Sequence, residues 1–545
     1  MRHDERTREA VPHSTGSYDL SSRPWRVSHL STRNFQKNFF SIVFLGLLTF
    51  LLLVSSYPTN AATASEKLPQ YIDEYTIPTA ASAPLAITVD ANGVVWFTES
   101  NASKLASFNP VDHAFNEYRV PTVGDMWGVT LDHHGYVWLT QYSGKGSVSP
   151  GGSVVFGGIG RLIRFDPIRK NFTSIDVPTA SSFPMRLVVD RQNRVWFTEL
   201  LGNKIGIYDQ VKKQLTEYSV PTNASGPADL TFDKDGNLWF TEAYSRSLGE
   251  FFPQNESFIE YPLGNSTSSQ IVSSPVGLAF DSEGNLWVAD HGGNWIVQFN
   301  PLTRGIVKYP THFPPQDVYP ISLVNDLLTD SKGRVWFVEH GGNSVGYLNI
   351  QDHTMTEFPI PTGPISTSLW IAAAPNGNIW FTEWSANKIG VVQSNVPVPV
   401  SIDVPQTYLL LRPGDETTIS LVTRTSQELA GNGTLRYSWS SYNLMDISVA
   451  FSSPYPSLGS LTDTPSQAEL IISSTTKPGN YTLGLGIDTG NVIVWRMIQV
   501  QVTAQASTAS IGTILTVVFT AAILAVVVVA LGLLMFRSRR QRERV

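Results

Sequence analysis

Through the middle of the chain, apolar and polar residues alternate in short runs of five to seven, a period-2 pattern that predicts half-buried β-strands. Residues 228–263 show one complete set: ADLTFD, the turn Lys234-Asp235-Gly236-Asn237, then LWFTE, SLGEFFP and SFIEYPL. Seven sets carry a Trp near the end of the second run: Trp96, Trp138, Trp196, Trp239, Trp287, Trp336 and Trp380, spaced 42, 58, 43, 48, 49 and 44 residues apart. Four short strands recurring at this period predict an all-β protein with a seven-bladed β-propeller over residues 70–395.

Six fourth-strand runs follow a triplet, but the seventh, IDEYTIP (72–78), precedes the first triplet. It is expected to pair with the last triplet, near Val392, closing the ring and removing its free edges. The tryptophans are expected to pack between blades. A Gly/Ser-rich insertion, 142–158, is read as a lid or a decorative loop. Residues 396–503 lose the repeat and show about seven alternating runs, which predicts an immunoglobulin-like β-sandwich holding the propeller off a membrane.

Two apolar stretches set the expected compartment. Residues 39–54 follow a basic leader (1–38) and precede Ala61-Ala62-Thr63-Ala64, so 39–64 reads as a signal peptide or a retained signal anchor. Residues 511–536 are 26 uncharged, mostly apolar positions, enough for a transmembrane helix, and five arginines follow in the tail 537–545. The positive-inside rule then puts residues 65–510 outside the cell membrane and the C-terminus in the cytoplasm. Of 38 Lys/Arg and 45 Asp/Glu, the two termini hold 12 and 5, leaving 26 and 40 outside, a net of −14. Such a surface repels phosphate backbones, so nucleic acid is not an expected partner. Seven N-x-S/T sequons fit an exported glycoprotein, and the absence of cysteine excludes disulfides and thiolate sites.

Chemistry should start where the repeat places carboxylates. Glu99, Gln141, Glu199, Glu242, Asp290, Glu339 and Glu383 end the second runs. Antiparallel pairing puts them on the same face as the starts of the first runs, where Trp127, Arg186, Asp229, Asp326 and Trp370 are candidate ligand-binding residues at the channel mouth. Crowded carboxylates are relieved by a cation, by Arg186, by raised pKa values or by hydrogen bonds that fasten blade to blade. The six carboxylates, Asp290 and Glu339 among them, are therefore candidate ligands for Mg²⁺ or Ca²⁺. The fifth and sixth sets add Asp290-His291-Gly292-Gly293-Asn294 and Glu339-His340-Gly341-Gly342-Asn343, making His291 and His340 candidate catalytic residues or relics of repeat duplication. No G-x-S-x-G, H-E-x-x-H, P-loop or dinucleotide fingerprint occurs.

The units GNIWFTEWSANKIG (377–390) and NRVWFTELLGNKIG (193–206) resemble the streptogramin lyase (virginiamycin B lyase) family and, more loosely, NHL-type repeats, over about 325 of 545 residues. The resemblance implies a seven-bladed propeller and a Mg²⁺-dependent elimination that opens a cyclic depsipeptide. It also implies metal-holding acids at Glu383 and Glu99, and histidines just after the Pro at the start of first strands. Leu369 and Leu85 stand at those histidine positions. Three readings follow. One is a membrane-anchored binding propeller for an extracellular small molecule, glycan or protein at an acidic mouth. The second is a lyase or lactone-cleaving enzyme using His291 or His340 as base. The third is a purely structural envelope protein.

Overall fold

The computed structural model describes residues 69–504, except 149–153, 265–273, 312–321, 364–365, 427–435, 442–446 and 459–460. All of them belong to one compact unit, Ser65–Val545. The leader, the 39–64 segment, the expected transmembrane helix 511–536 and the basic tail lie outside the described residues, and among those residues no helix is long and apolar enough to cross a membrane.

The fold is all-β, with one short 3-10 turn at Ser100–Ala102. The repeats form antiparallel four-stranded units starting at Pro84, Asp125, Pro184, Pro227, Pro275, Val324 and Ile371, numbered one to seven below. Their innermost strands touch in chain order, and the last touches the first, so the sheets form a propeller-like ring. Ile72–Thr76 pairs antiparallel with Lys388–Val392, Ile72 opposite Val392, so the N-terminal run supplies the outer strand of the seventh unit as its spacing predicts. The face where inner strands begin is called upper here; the turns between strands one and two and between three and four lie on the lower face. In the second unit the insertion forms its own hairpin, Lys145–Val148 with Val154–Gly157.

The repeat motif explains itself residue by residue. Each second-strand Trp is at most 6% exposed. In six units its indole N–H donates to the Asp of the preceding turn, as Trp196 does to Asp190 Oδ2 at 2.8 Å and Trp287 to Asp281 Oδ2 at 2.8 Å. Its ring reaches the next unit, with Trp196 to Phe251 at 5.8 Å and Trp380 to Phe108 at 5.6 Å. The following Thr donates to a carbonyl on the next inner strand: Thr198 to Ala228 O (2.9 Å) and, across the closure, Thr382 to Leu85 O (2.9 Å). The Asn of N-K-I-G ties adjacent loops together, Asn387 donating to Ile77 O and Thr79 O while accepting from Ser82 N–H. The motif Gly admits the strand-two Phe: a Cβ on Gly206 or Gly390 would run into the ring of Phe197 or Phe381.

Residues 400–502 form two further sheets packed on a shared apolar core that includes Ile402, Ile419, Leu421, Leu470, Leu485 and Ile498. One sheet orders Val400–Asp403, Glu416–Thr425, Thr464–Ile472 and Ile447–Phe451. The other does not stand apart from the ring. Ile493–Val502 pairs with Thr354–Pro359, the outer strand of the sixth unit, making one continuous sheet. Trp495 donates to Glu357 Oε2 at 3.0 Å across that seam, and both side chains are buried.

Candidate functional site

The acids that end the second strands do not line an open mouth. Glu99, Glu199, Glu242, Asp290, Glu339 and Glu383 are all 0% exposed. In three units the acid sits beside a polar node whose Thr comes from the loop of the preceding unit. In the first, Lys104 Nζ donates to Glu117 (2.7 Å) and to Thr79 Oγ1 (2.5 Å), and Thr79 also donates to Glu117. Lys204, Glu217 and Thr179 repeat this in the third unit, and Lys388, Glu74 and Thr362 in the seventh. Burial first, and then the facing Glu117, Glu217 or Glu74, push Glu99 up to about 7 and Glu199 and Glu383 up to about 8. Burial also acts on those facing acids, but the Lys and Thr hydrogen bonds outweigh it and hold them below the usual range. Two carboxyls and one ammonium approach neutrality when the deeper acid keeps its proton. The Lys, facing Glu and Thr fasten adjacent units, while the carboxyl oxygens of Glu99, Glu199 and Glu383 beside them have no hydrogen-bond partner. The expectation of an acidic solvent-facing ring is corrected: these acids are buried.

The fifth and sixth units lack this node and depart from it in chemistry. In the fifth, Trp295 stands in place of the Lys and Lys308 in place of the strand-four Glu; Lys308 Nζ lies 5.4 Å from the Trp295 ring centroid. Burial lowers Lys308 to about 8, opposed by Asp290. Asp290 Oδ1 accepts from Ser274 N–H (2.8 Å), and Glu339 Oε2 accepts from Ser344 Oγ (3.0 Å). Their neighbours His291 and His340 are brought together, ring centroids 4.9 Å apart. Burial lowers both histidines, His340 to about 3 with His291 adding to the effect, so both are neutral near pH 7.

The other candidates converge at the centre of the ring. Arg186 donates to Asp229 Oδ1 (2.9 Å) and to Asp326 Oδ1 (3.0 Å), bridging the third, fourth and sixth units. Its guanidinium lies 4.9 Å from the Trp370 ring centroid. The two acids also accept backbone N–H groups, Asp229 from Leu278 and Asp326 from Ile371. Burial opposes the Arg186 charge, but the two carboxylates outweigh it and raise its pKa. Trp127 and Trp370 share one apolar cluster with Met185 and Leu369. Neither indole N–H has a hydrogen-bond partner, and both are shielded from solvent. Arg186 keeps 25% of its side chain exposed.

The Virginiamycin B lyase family model matches residues 156–407. A streptogramin B lyase structure is similar over 59% of this chain and 97% of its own, with 25% identity and a TM-score of 0.50. A virginiamycin B lyase from Staphylococcus aureus covers 59% of this chain and 99% of its own at 23% identity and a TM-score of 0.50. The ring is a streptogramin-lyase-like propeller. No curated protein matches the chain.

In this streptogramin-lyase-like propeller the implied histidine positions are apolar: Leu85 is 3% exposed, and Leu369 packs in the central cluster. The implied Mg²⁺ does not fit the residues present either. Lys388 and Lys104 already bring ammonium groups to the clusters around Glu383 and Glu99, and those acids are pushed toward their neutral forms. Among the described residues no three His, Cys, Asp or Glu side chains converge as ligands. Sequence reading missed the node partners Glu117, Lys104 and Thr79, although their counterparts recur in the x-E-Y, N-K-I-G and V-P-T runs.

Proposed function

We propose that the chain is a membrane-anchored, outward-facing binding protein. In this reading the seven units are blades of a closed propeller, residues 396–503 are an immunoglobulin-like sandwich, and 511–536 is the anchor. The ligand is an extracellular molecule bearing hydrogen-bond acceptors, taken at the ring centre rather than at an acidic rim. One observation carries this: the buried indole N–H groups of Trp127 and Trp370 lack acceptors beside the partly open Arg186. Unpaired buried donors are rare in folded proteins, and each costs about 1–3 kcal/mol until an acceptor arrives.

The test screens the full chain by tryptophan fluorescence against carboxylate-, carbonyl- and hydroxyl-rich small molecules, with and without Mg²⁺ or Ca²⁺. A hit is then repeated on Trp127→Phe, which keeps the ring and removes the donor. The expected result is about tenfold weaker binding, with the ligand-free variant at least as stable as the parent because the unpaired donor is gone. Equal binding by the variant would reject the central site. Incubation with a cyclic depsipeptide addresses the lyase alternative: linear product in the mass spectrum would establish turnover and overturn the binding-only reading.

A further inference from the structure

One groove of the molecule belongs to neither the ring nor the two-sheet segment alone. It has a volume of about 390 Å³ and lies between the outer strand of the fifth unit, Ile306–Pro310, and the sheet that joins the sixth unit. That size falls in the range of about 300–1,000 Å³ usual for small-ligand sites. Strand register decides what faces it. Asn480 stands opposite Gln501 and Thr482 opposite Gln499, while Tyr408 flanks Gln499 from the other side. Alternation puts these side chains on one face, and their neighbours Leu409, Tyr481 and Val500 enter the core between the sheets. Tyr408 is 55% exposed. Its hydroxyl donates to Gln501 Oε1, and Gln499 Nε2 donates to Thr482 Oγ1 at 3.2 Å. Val307 and Lys308 stand on the opposite wall, and no carboxylate lines the groove.

A flat ring beside a row of amide and hydroxyl groups suits a saccharide. The C–H faces of sugar rings lie on an aromatic side chain, and their hydroxyls exchange hydrogen bonds with amides. The sequence supplies a source for one. Asn480-Tyr481-Thr482 is an N-x-T sequon, and Asn480 is exposed in the groove wall. The sequons at Asn101, Asn223 and Asn255 sit in short turns of the ring instead. We propose that Asn480 carries an N-linked glycan whose first sugars lie in this groove, against Tyr408 and the two glutamines. This rests on the outward-facing location given under Proposed function. In the transfer, Asn480 Nδ2 forms a bond to the anomeric carbon of an oligosaccharide held on a lipid phosphate. The sugar–phosphate bond breaks, the lipid phosphate leaves with the bonding electrons, and the Nδ2 proton passes to solvent. The transfer precedes the pairing of Gly479–Asp488 with Ile493–Val502, because the paired strand holds the side chain against the groove. Once there, the glycan touches the fifth unit and the two-sheet segment together, a contact separate from the Trp495–Glu357 seam at the sixth unit.

The full chain is produced in a secretory host with N-linked transfer machinery and purified in detergent. Without denaturation, it is treated with an amidase that releases N-glycans and leaves Asp at each released site. Mass spectrometry of the peptides follows each sequon over time. A glycan is expected on Asn480, released about tenfold more slowly than those on Asn101 and Asn223. Tyr408→Ala and Gln501→Ala remove groove contacts at partly exposed positions and should bring the Asn480 rate to that of the turns. An unmodified Asn480 in a chain glycosylated at Asn101 or Asn223 would overturn the modification. Release from Asn480 as fast as from the turns, or slow release that neither variant changes, would overturn the docking in the groove. A chain with no glycan at any sequon would mean that its middle is not exported, and the outward-facing reading and the glycan would fail together.

Discussion

The Arg186 guanidinium lies 4.9 Å from the Trp370 ring centroid, although the two residues belong to the third and seventh units. Only the closed ring brings those inner strands face to face. The same guanidinium bridges Asp229 and Asp326, so one side chain links four units through its charge and its flat face. It is both a central tie and the cation that a ligand's acceptors would meet.

Removing the tie leaves two buried carboxylates without their cation. Arg186→Met is expected to destabilise the chain by about 3 kcal/mol at pH 7, measured by urea unfolding. The loss should shrink toward pH 5, because burial and Asp229 already raise Asp326 and it protonates once the Arg is gone. Adding Asp326→Asn should recover part of the loss. A loss independent of pH would mean that the Arg acts through packing alone.

The buried strand-two acids predict an unusual pH profile. Glu199 has a folded-state pKa of about 8, against an ordinary glutamate value near 4.5 in the unfolded chain. Folding therefore favours the protonated form. This contribution is fully present below about 4.5 and is lost as pH rises toward 8. The shift sets a ceiling of about 4 to 5 kcal/mol. Glu199→Gln mimics the neutral acid and is expected to be about 1–3 kcal/mol more stable than the parent at pH 8.5, and equal to it near pH 4.5. Denaturation series at the two pH values check this, and a variant that is weaker at both would contradict it.

Much of the ring was legible because its period and closure are properties of the chain. The strand-two Trp, the Asp turns and the run 72–78 each point to one partner under β-pairing geometry. The site was legible in part. Counting back from each Trp located Arg186, Asp229, Asp326 and Trp370 at one level, and the doubled His-Gly-Gly-Asn run placed His291 near His340. What the pattern did not reveal was depth. A residue at a strand end is solvent-facing or buried according to what covers it, and Glu99 is buried beside Lys104, Glu117 and Thr79, which come from three different runs. The fusion of Ile493–Val502 to the sixth unit was equally hidden, because nothing local tells an edge strand which distant strand will pair with it.

That fusion predicts one cooperative unfolding transition for the ring and the two-sheet segment together. Trp495→Phe keeps the aromatic packing but leaves Glu357 without its indole donor at the seam. The expected cost is about 1–3 kcal/mol. Calorimetry should show the single endotherm of the parent broaden or divide in the variant. Two resolved endotherms in the parent would mean that the shared sheet does not couple the two parts.

The histidine pair separates a packing role from a catalytic one. Burial lowers His340 to about 3, and His291 is lowered too, so neither serves as a proton acceptor tuned to neutral pH. The linkage runs opposite to that of Glu199. A histidine kept neutral by folding contributes stability that is fully present above its unfolded pKa near 6.5 and is lost as pH falls through that value toward 3. His340→Phe keeps a ring against His291 and removes this titration. Relative to the parent, it is expected to gain about 1–2 kcal/mol between pH 7.5 and pH 5. The histidine ring resonances, followed by NMR, should show no titration for His340 between pH 8 and 5. A midpoint near 6.5 would place that ring in contact with water and return His340 to the list of possible bases.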